Sequence, residues 1–321
     1  MSSGPGMTGP ALVETVACAG GVRVAQRGAT LDPAGGWGLH VGPDRPVSLP
    51  AAGAVTSQRT DGSVWRRHWA QPDRLVIDFV DVAVVDVDMA DGSVVFDRPL
   101  PSEMEQHLLL DHVLPLALAH RGALVVHGGV ISRSDEGVVL VGATGAGKST
   151  LTAYAWRQGW TLGGDDGAVL HASAPPTVEP TYTTVRLTPH GAGLVGVDFS
   201  SGTGVVGKVR LATDGGSPFR LSPVELGAIA IIEPGEAGSY ARFEPIDPIE
   251  AHSRLFGATF HADLDGHRRL PGVLDRLAAI VERCQVGTLV VPRGRAGLAA
   301  AELCLRGLIG AGEETVHGGS S

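Results

Sequence analysis

Lysine is nearly absent from this sequence, which has only Lys148 and Lys208 beside 23 arginines. Acidic residues outnumber basic ones, 34 to 25, and the formal net charge is −9. Because nucleic-acid binding requires clustered positive charge, this balance argues against nucleic acid as a partner. Because arginine occupies almost every basic position, the two lysines are stronger candidates for functional residues than lysines usually are.

Cysteine and long apolar runs are also scarce. Cys18, Cys284 and Cys304 have neither paired nor metal-type spacing, which predicts small core residues in a reducing compartment. No window of about eighteen residues is both uncharged and apolar throughout, so we expect no membrane-spanning helix. The N-terminus has no basic segment followed by an apolar one, which argues against a signal peptide. We therefore expect a cytoplasmic globular protein without a membrane partner.

The character of the sequence changes twice along the chain. Residues 1–104 contain short apolar segments separated by turn residues, which predicts a smaller, β-rich N-terminal domain with a role in substrate recognition. Residues 105–311 alternate between strand and helix patterns, which indicates an α/β domain. Residues 312–321 are rich in glycine and serine and predict a disordered tail.

The clearest strand pattern of the N-terminal part is Leu75–Met89, in which apolar and acidic residues alternate over the second half. The turn residues Asp91 and Gly92 and the apolar segment Ser93–Phe96 follow it, which predicts a β-hairpin. Acidic residues at every second position are typical of the solvent-facing side of an antiparallel sheet. We prefer this interpretation to a metal site formed by the same aspartates.

A helix is predicted between the two parts. Ser102 lies three residues before Glu105, which is the spacing of a capping box. The apolar stretch that follows ends at Gly122, so the pattern predicts a helix of about five turns. Pro115 lies inside this helix, and we expect it to produce a kink.

Strand and helix patterns alternate through the α/β part. Strands are predicted at Ala123–Val126, Gly137–Val141, Trp160–Leu162, Gly227–Ile232 and Gly287–Val291. Helices are predicted at Ser149–Gln158, Pro248–Gly257, Pro271–Cys284 and Arg295–Leu308.

A glycine-rich loop in the α/β part has the spacing of a phosphate-binding motif. The segment Gly142–Ser149 fits the pattern G-x-x-x-x-G-K-[ST], with an apolar strand before it and a helix pattern after it. Its glycines allow backbone N–H groups to surround phosphates, and the helix N-terminus adds a favourable dipole. Lys148 is expected to contact the β- and γ-phosphates, and the Ser149 hydroxyl to bind Mg²⁺. The nucleotide contacts are predicted at Gly142, Ala143, Thr144, Gly145, Ala146, Gly147, Lys148, Ser149 and Thr150.

Two adjacent acids, Asp165 and Asp166, follow Ser149 by only sixteen residues and come after two glycines. Motor and switch NTPases usually place their magnesium-binding aspartate much further along the chain. This spacing suggests that one carboxylate is the base for an incoming hydroxyl and that the other holds Mg²⁺ or its waters. The alternative is a simple turn, since these residues favour turns. His127 would lie near the same loop if the strand before it pairs with Val138–Val141.

Taken together, the His-Gly strand, the loop and the Asp-Asp pair resemble the HPr kinase/phosphorylase family over about residues 116–170. Flanking segments look more like divergent members that accompany peptide-tailoring gene clusters, including lasso-peptide clusters, where some phosphorylate a precursor peptide. The resemblance implies a fold related to phosphoenolpyruvate carboxykinase. It also implies that Asp165 is the catalytic base, Asp166 its partner on the Mg²⁺ side, and His127 a supporting residue near the phosphates.

The sequence also departs from that family. After the Asp pair the family has a Glu-Val-Arg-Gly-Leu-Gly-like segment, whereas this chain keeps Arg186 without the glutamate or the glycines. No match exists to the family's later Arg-Pro-Gly-Arg-Asn-like loop. Phosphorylase activity, HPr as the substrate and a hexameric assembly are therefore not carried over. Arg186 and Lys208, the latter after a glycine-rich loop at Gly202–Val206, remain candidate anion contacts; the alternatives are a structural ion pair and a solvated lysine.

Three functions remain open at this point. The first is a kinase that transfers the γ-phosphoryl group of ATP to a Ser or Thr hydroxyl of a peptide or protein. The second is a nucleotide-binding module that hydrolyses ATP slowly while it escorts a peptide. The third is a small-molecule kinase or carboxykinase-like enzyme. No pattern marks the residues that contact the base, so GTP is an alternative to ATP, and an oligomer is compatible with each function.

Overall fold

The computed structural model describes residues 15–25, 27, 37–59, 61–197, 204–205, 208–210, 220–236, 238–261 and 270–309. The predicted tail at 312–321 lies outside these residues. In the described part of the chain, no helix is long and apolar enough to cross a membrane.

The N-terminal part forms a sheet, as the turn-rich pattern predicts. Its eight described strands are β1 (Thr15–Ala17), β2 (Arg23–Ala25), β3 (Gly38–Val41), β4 (Val55–Gln58), β5 (Val64–Gln71), β6 (Arg74–Phe79), β7 (Ala83–Asp88) and β8 (Ser93–Phe96). Their spatial order is β1-β2-β3-β8-β7-β6-β5-β4. A short 3-10 helix at Ala19–Gly21 joins β1 to β2.

The predicted hairpin is confirmed, since β7 pairs antiparallel with β8 through Val85 and Phe96 and through Val87 and Val94. The prediction of one continuous strand over Leu75–Met89 is wrong. The chain turns between Phe79 and Ala83, where Asp81 has a positive φ of 63°. Valines flank that aspartate on both sides, so the hydrophobicity pattern alone does not indicate the turn.

The helix after the sheet has three sections: α1 (Ser102–Leu108), a π-helical segment (Leu109–Val113) and α2 (Leu114–His120). The predicted capping box does not form, because the helix already includes Ser102 and Pro101 precedes it. Glu105 is buried and accepts a hydrogen bond from Arg27 Nε (3.0 Å) instead. The predicted irregularity is present, but as widened turns just before Pro115, a residue that cannot donate a backbone hydrogen bond.

A second, larger sheet lies in the α/β part. Its strands are β9 (Leu124–Val126), β10 (Gly128–Arg133), β11 (Glu136–Val141), β12 (Thr161–Gly164), β13 (Ala168–His171), β14 (Thr177–Pro180), β18 (Val224–Gly235), β19 (Arg242–Pro245) and β20 (Gln285–Pro292). Their order is β12-β10-β11-β18-β14-β13-β9, with β20 also beside β18 and β19 beside β20. A small sheet contains β15 (Arg186–Leu187), β16 (Gly204–Val205) and β17 (Lys208–Arg210).

Helices cover both faces of the larger sheet. They are α3 (Lys148–Arg157), α4 (Pro189–Val195), α5 (Pro248–Ala258), α6 (Leu270–Val281) and α7 (Arg295–Leu308). In β11, Val138 and Leu140 pack in the core with Leu151 of α3 and Leu298 of α7. Val139 on the opposite face packs in the core that contains residues of α5 and α6. This strand is apolar on both sides because both sides are covered.

A third core lies under the N-terminal sheet. It joins Leu75, Ile77 and Phe79 of β6 to the apolar side chains of the helix that includes Leu109 and Leu114. Tyr182, which follows β14, also belongs to this core. The N-terminal sheet and the larger sheet are therefore in contact through one buried helix.

Candidate functional site

The glycine-rich loop connects β11 to α3, so the predicted strand–loop–helix arrangement is confirmed. Gly142, Gly145 and Gly147 have φ values of 155°, 84° and 100°, which are favoured by glycine. A Cβ atom at Gly142 would lie 2.9 Å from the carbonyl oxygen of Ile232. Larger residues at these positions would therefore strain the backbone of the loop.

Lys148 opens α3 and is only 6% exposed. Its Nζ donates hydrogen bonds to the carbonyl oxygens of Gly142 (2.7 Å) and Ala143 (3.2 Å). The pKa of Lys148 is lowered overall. Burial is the main cause and the charge of Lys208 adds to it, while the charge of Asp166 opposes both. The ammonium group thus lies over the start of the loop, within the field of the acid pair.

A cleft of about 410 Å³ lies beside the loop. β18 runs parallel to β11, with Val141 opposite Ile231, and ends next to the loop. Glu233 lines the cleft, and its carboxylate pairs with Arg254 (2.6 Å). Glu233 is not among the predicted site residues, although it directly follows the predicted strand Gly227–Ile232 and the carboxyl ends of parallel strands commonly bind ligands. The cleft is lined by Gly142, Ala143, Thr144, Gly145, Ala146, Ile231, Ile232, Glu233 and Pro234.

Asp165 follows β12 and is 2% exposed. Its Oδ2 accepts a hydrogen bond from the backbone N–H of Arg186 (3.0 Å), while Oδ1 is buried without a hydrogen-bond partner among the described residues. Burial, and then the charge of Asp166, raises the pKa of Asp165 well above its usual range. The preceding Gly164 cannot be larger, because a Cβ there would lie 2.5 Å from the carbonyl oxygen of Tyr182.

Asp166 differs from its neighbour in its partners. Its Oδ2 accepts a hydrogen bond from Arg186 Nη2 (2.7 Å). Burial alone would raise the pKa of Asp166, but the positive charge of Arg186, the neighbouring Asp165 carboxyl and the hydrogen bond from Arg186 lower it to about 2. The two adjacent carboxyl groups are therefore separated in proton affinity, as in known acid–base pairs.

His127 lies beside the acid pair by a route that differs from the predicted one. The condition that its strand pairs with Val138–Val141 is not met, because β9 pairs with β13, whereas β11 lies between β10 and β18. This pairing still brings His127 to Asp166, whose carbonyl oxygen accepts a hydrogen bond from Nδ1 (2.9 Å). Burial and the charge of Lys148 lower the pKa of His127, which favours a neutral ring with Nε2 unprotonated.

Arg186 begins β15 and is 9% exposed. Its guanidinium group forms ion pairs with Asp166 and with Asp111 of the π-helical segment. Tyr182 donates a hydrogen bond to the other oxygen of Asp111. These contacts match the structural ion pair that was the alternative to a substrate anion contact. Asp111 and Tyr182 are not among the predicted site residues, because no sequence pattern relates a helix residue to a segment about seventy residues away.

Lys208 lies on β17, and the next residue, Val209, pairs with Leu187 of β15. Its charge lowers the pKa values of both Lys148 and His127, so it belongs to the same electrostatic environment. Of the predicted loop Gly202–Val206, only residues 204–205 are described, and they form β16. An anion contact by Lys208 stays a prediction.

The predicted Mg²⁺ site has oxygen donors of a suitable type in Ser149 and Asp166. In the described part of the chain, no group of three or more His, Cys, Asp or Glu side chains could hold a metal ion. Mg²⁺ commonly takes one or two protein oxygens and completes its shell with phosphates and water. Ser149 in the first turn of α3 and the ionised Asp166 are suited to such a shared site.

No model of a known protein family matches the sequence, and no curated protein matches it. Among solved structures, the chain is similar to the HPr(Ser) kinase/phosphatase from Coxiella burnetii, with 13% sequence identity and a TM-score of 0.30. The similarity covers 57% of this chain and 94% of that chain. A similarity this low carries no function, so the function must be inferred from the residues of the site.

Proposed function

We propose that this protein is a kinase that transfers the γ-phosphoryl group of ATP to a hydroxyl group of a peptide or protein. The observation that carries the proposal is the buried acid pair beside Lys148 and the glycine-rich loop. A loop of this kind binds phosphates in many NTPases, whereas a buried carboxyl with raised pKa beside it is suited to accept a proton.

The phosphate-binding groups act by position and charge. The backbone N–H groups of residues 142–147 and the N-terminus of α3 surround the phosphates, and Lys148 exchanges its carbonyl partners for phosphate oxygens. Ser149 and Asp166 would hold Mg²⁺, which would supply positive charge beside the transferred group. Phosphoryl transfer needs little more than this positioning.

Asp165 has the features of the base. Its Oδ2 is fixed by the N–H of Arg186, which leaves Oδ1 to accept the proton of the acceptor hydroxyl. A raised pKa makes its ionised form a stronger base than an exposed aspartate. The hydroxyl oxygen attacks the γ-phosphorus, the bond to the β-phosphate oxygen breaks, and ADP leaves. His127 steadies the backbone of Asp166 through Nδ1.

The acceptor is proposed to be a Ser or Thr side chain, because the N-terminal sheet lies against the site through a buried helix and offers a surface for a polypeptide. That sheet is our proposed recognition domain. A ribosomally made precursor peptide is one such acceptor.

The test is transfer of radiolabel from γ-labelled ATP with Mg²⁺ into a size-fractionated extract of the source organism. Asp165→Asn keeps the size of the side chain and should lower transfer by about 10²–10⁴-fold, the usual contribution of a base. Its affinity for ATP should stay nearly unchanged, as should both properties in the matched surface variant Asp135→Asn, whose carboxylate is 90% exposed.

The two alternatives give different outcomes. A nucleotide-binding module would bind ATP but label nothing, in wild type and variant alike. A small-molecule kinase would place label on a metabolite fraction and none on macromolecules. Either result would replace the proposal of a peptide or protein kinase.

A further inference from the structure

One arginine of the N-terminal sheet differs from the others around it in its partners. Arg67, Arg74 and Arg98 each pair with an aspartate, at 3.5, 2.7 and 2.8 Å. Within the described residues, Arg66 has no carboxylate at ion-pair distance. Its Nη2 donates a hydrogen bond to Ser57 Oγ (2.9 Å), and its Nε is buried without an acceptor.

The partial burial of this cation is unfavourable for folding. Burial lowers the pKa of Arg66 to about 10, which measures how poorly the site solvates its charge. The Trp65 ring, 5.0 Å from the guanidinium carbon, offers partial compensation. A poorly solvated charge without a counter-ion destabilises a fold, and an anionic ligand at this place would offset that cost.

The position of Arg66 relates it to the acid pair. It lies on β5 opposite Phe79 of β6 and Ser57 of the edge strand β4. The Phe79 ring contacts His112 of the π-helical segment, with centroids 5.6 Å apart. Arg66 is thus one strand in from the β4 edge of the sheet, near the helix that pairs with Arg186 at the site.

His112 connects the two places. Its ring lies 5.1 Å from Trp65 and 5.2 Å from His107, between centroids. Burial lowers the pKa of His112, the charges of His107, Arg66 and Arg186 lower it further, and that of Asp166 opposes them. The charges of Arg66 and Asp166 therefore both act on the His112 ring, with opposite effects on its pKa.

We propose that Arg66 binds an oxyanion of the acceptor, a carboxylate or a phosphate group, and so directs the neighbouring hydroxyl towards Asp165. The planar guanidinium offers a fork that suits both anions. The Ser57 hydroxyl is the second donor of this anion site. The inference rests on the proposed kinase function and narrows its substrate to polypeptides that are acidic or phosphorylated near the acceptor hydroxyl.

The first experiment compares Arg66→Met with Arg67→Met, a matched control on the same strand. With the labelled acceptor fraction, Arg66→Met should raise KM for the acceptor by about 10–100-fold, as expected for a lost charge-assisted hydrogen bond. The kcat value and the KM for ATP should change less than about twofold, and Arg67→Met should leave all three constants near wild type. Arg66→Lys keeps the charge but not the fork and should give an intermediate KM.

Thermal stability supplies a readout without the acceptor. Removal of an uncompensated buried charge should leave the melting temperature of Arg66→Met equal to or above that of wild type. A contact that merely stabilises the fold would lower it instead.

The second experiment distinguishes the two anions, using glutarate and inorganic phosphate as probes at constant ionic strength. The glycine-rich loop is first saturated with Mg²⁺ and a non-hydrolysable ATP analogue, so that it cannot bind phosphate. The preferred anion should raise the melting temperature of wild type and not that of Arg66→Met. Because no transfer is measured, this comparison stays decisive even if the kinase proposal fails.

Two results would overturn the inference. One is an acceptor KM for Arg66→Met that equals the value for Arg67→Met. The other, where no acceptor is labelled, is a thermal response to both anions that is the same in wild type and Arg66→Met.

Discussion

The N-terminal sheet and the candidate site pair arginine with aspartate in opposite ways. In the N-terminal sheet, one carboxylate, Asp86, pairs with Arg74 at 2.7 Å and with Arg45 at 3.8 Å, and the two arginine side chains are 36% and 66% exposed. Beside the glycine-rich loop, one arginine, Arg186, holds two carboxylates while its own side chain is 10% exposed. Exposed pairs add little to stability, whereas buried groups depend strongly on each partner. The contrast teaches that the buried carboxylates depend on one shared arginine, whereas the aspartate of the N-terminal sheet does not.

We expect the largest loss of stability from removal of the shared arginine. Arg186→Met leaves Asp111 and Asp166 buried without their cation, and we expect a loss of about 3–5 kcal/mol in the free energy of unfolding. The matched variant Arg74→Met should lose about 1 kcal/mol or less. Urea denaturation of both variants measures the difference. Equal losses would mean that the two regions do not differ as described.

The pH dependence of stability should separate the two adjacent acids. The pKa of Asp165 is raised by folding, so its favourable contribution is present below about pH 4 and is lost as the pH rises through the folded value. We therefore expect the stability of Asp165→Asn relative to wild type to increase as the pH rises above 4.

Asp166 should show the opposite trend. Its pKa of about 2 lies below the unfolded value, so it stabilises the fold by about 2 kcal/mol above pH 4, and this is lost as the pH falls towards 2. Asp166→Asn should be less stable than wild type at neutral pH, with a difference that shrinks in acid. Denaturation curves from pH 3 to 8 measure both variants, and parallel trends would contradict the assignment.

A smaller effect is expected from the tyrosine that supports this network. Tyr182→Phe removes the hydroxyl that donates to Asp111 and leaves a buried carboxylate oxygen unsatisfied. We expect a loss of about 1–2 kcal/mol in the free energy of unfolding. Tyr240→Phe is the control, since Tyr240 is 87% exposed, and should be neutral. Calorimetry of both proteins is sufficient, and a neutral Tyr182→Phe would show that Asp111 does not need this donor.

Local features of the fold could be predicted well from the sequence. The helix Arg295–Leu308 has its predicted bounds, and the glycine-rich loop lies between a strand and a helix as expected. These features depend on residues close together in the chain, whose spacing is visible in the sequence. The turn at Asp81 was missed because its flanking valines favour strand on both sides.

Contacts between distant segments could not be predicted in the same way. Strand pairing decides the position of His127. The strand β10, which begins with Gly128 and Gly129, was not predicted from the sequence. The role of Arg186 depends on Asp111, which comes from another part of the chain. Such contacts follow from topology, which a single sequence encodes only indirectly.

The π-helical segment Leu109–Val113 has a consequence for how this chain can vary in length. Asp111 and His112 are neighbours there, yet one pairs with Arg186 and the other lies against Trp65 and Phe79. Loss of one residue from this segment would rotate α1 against α2 by about 100° and misplace Asp111 or His112. Among related sequences, we therefore expect insertions and deletions on either side of this helix but a constant number of residues within it.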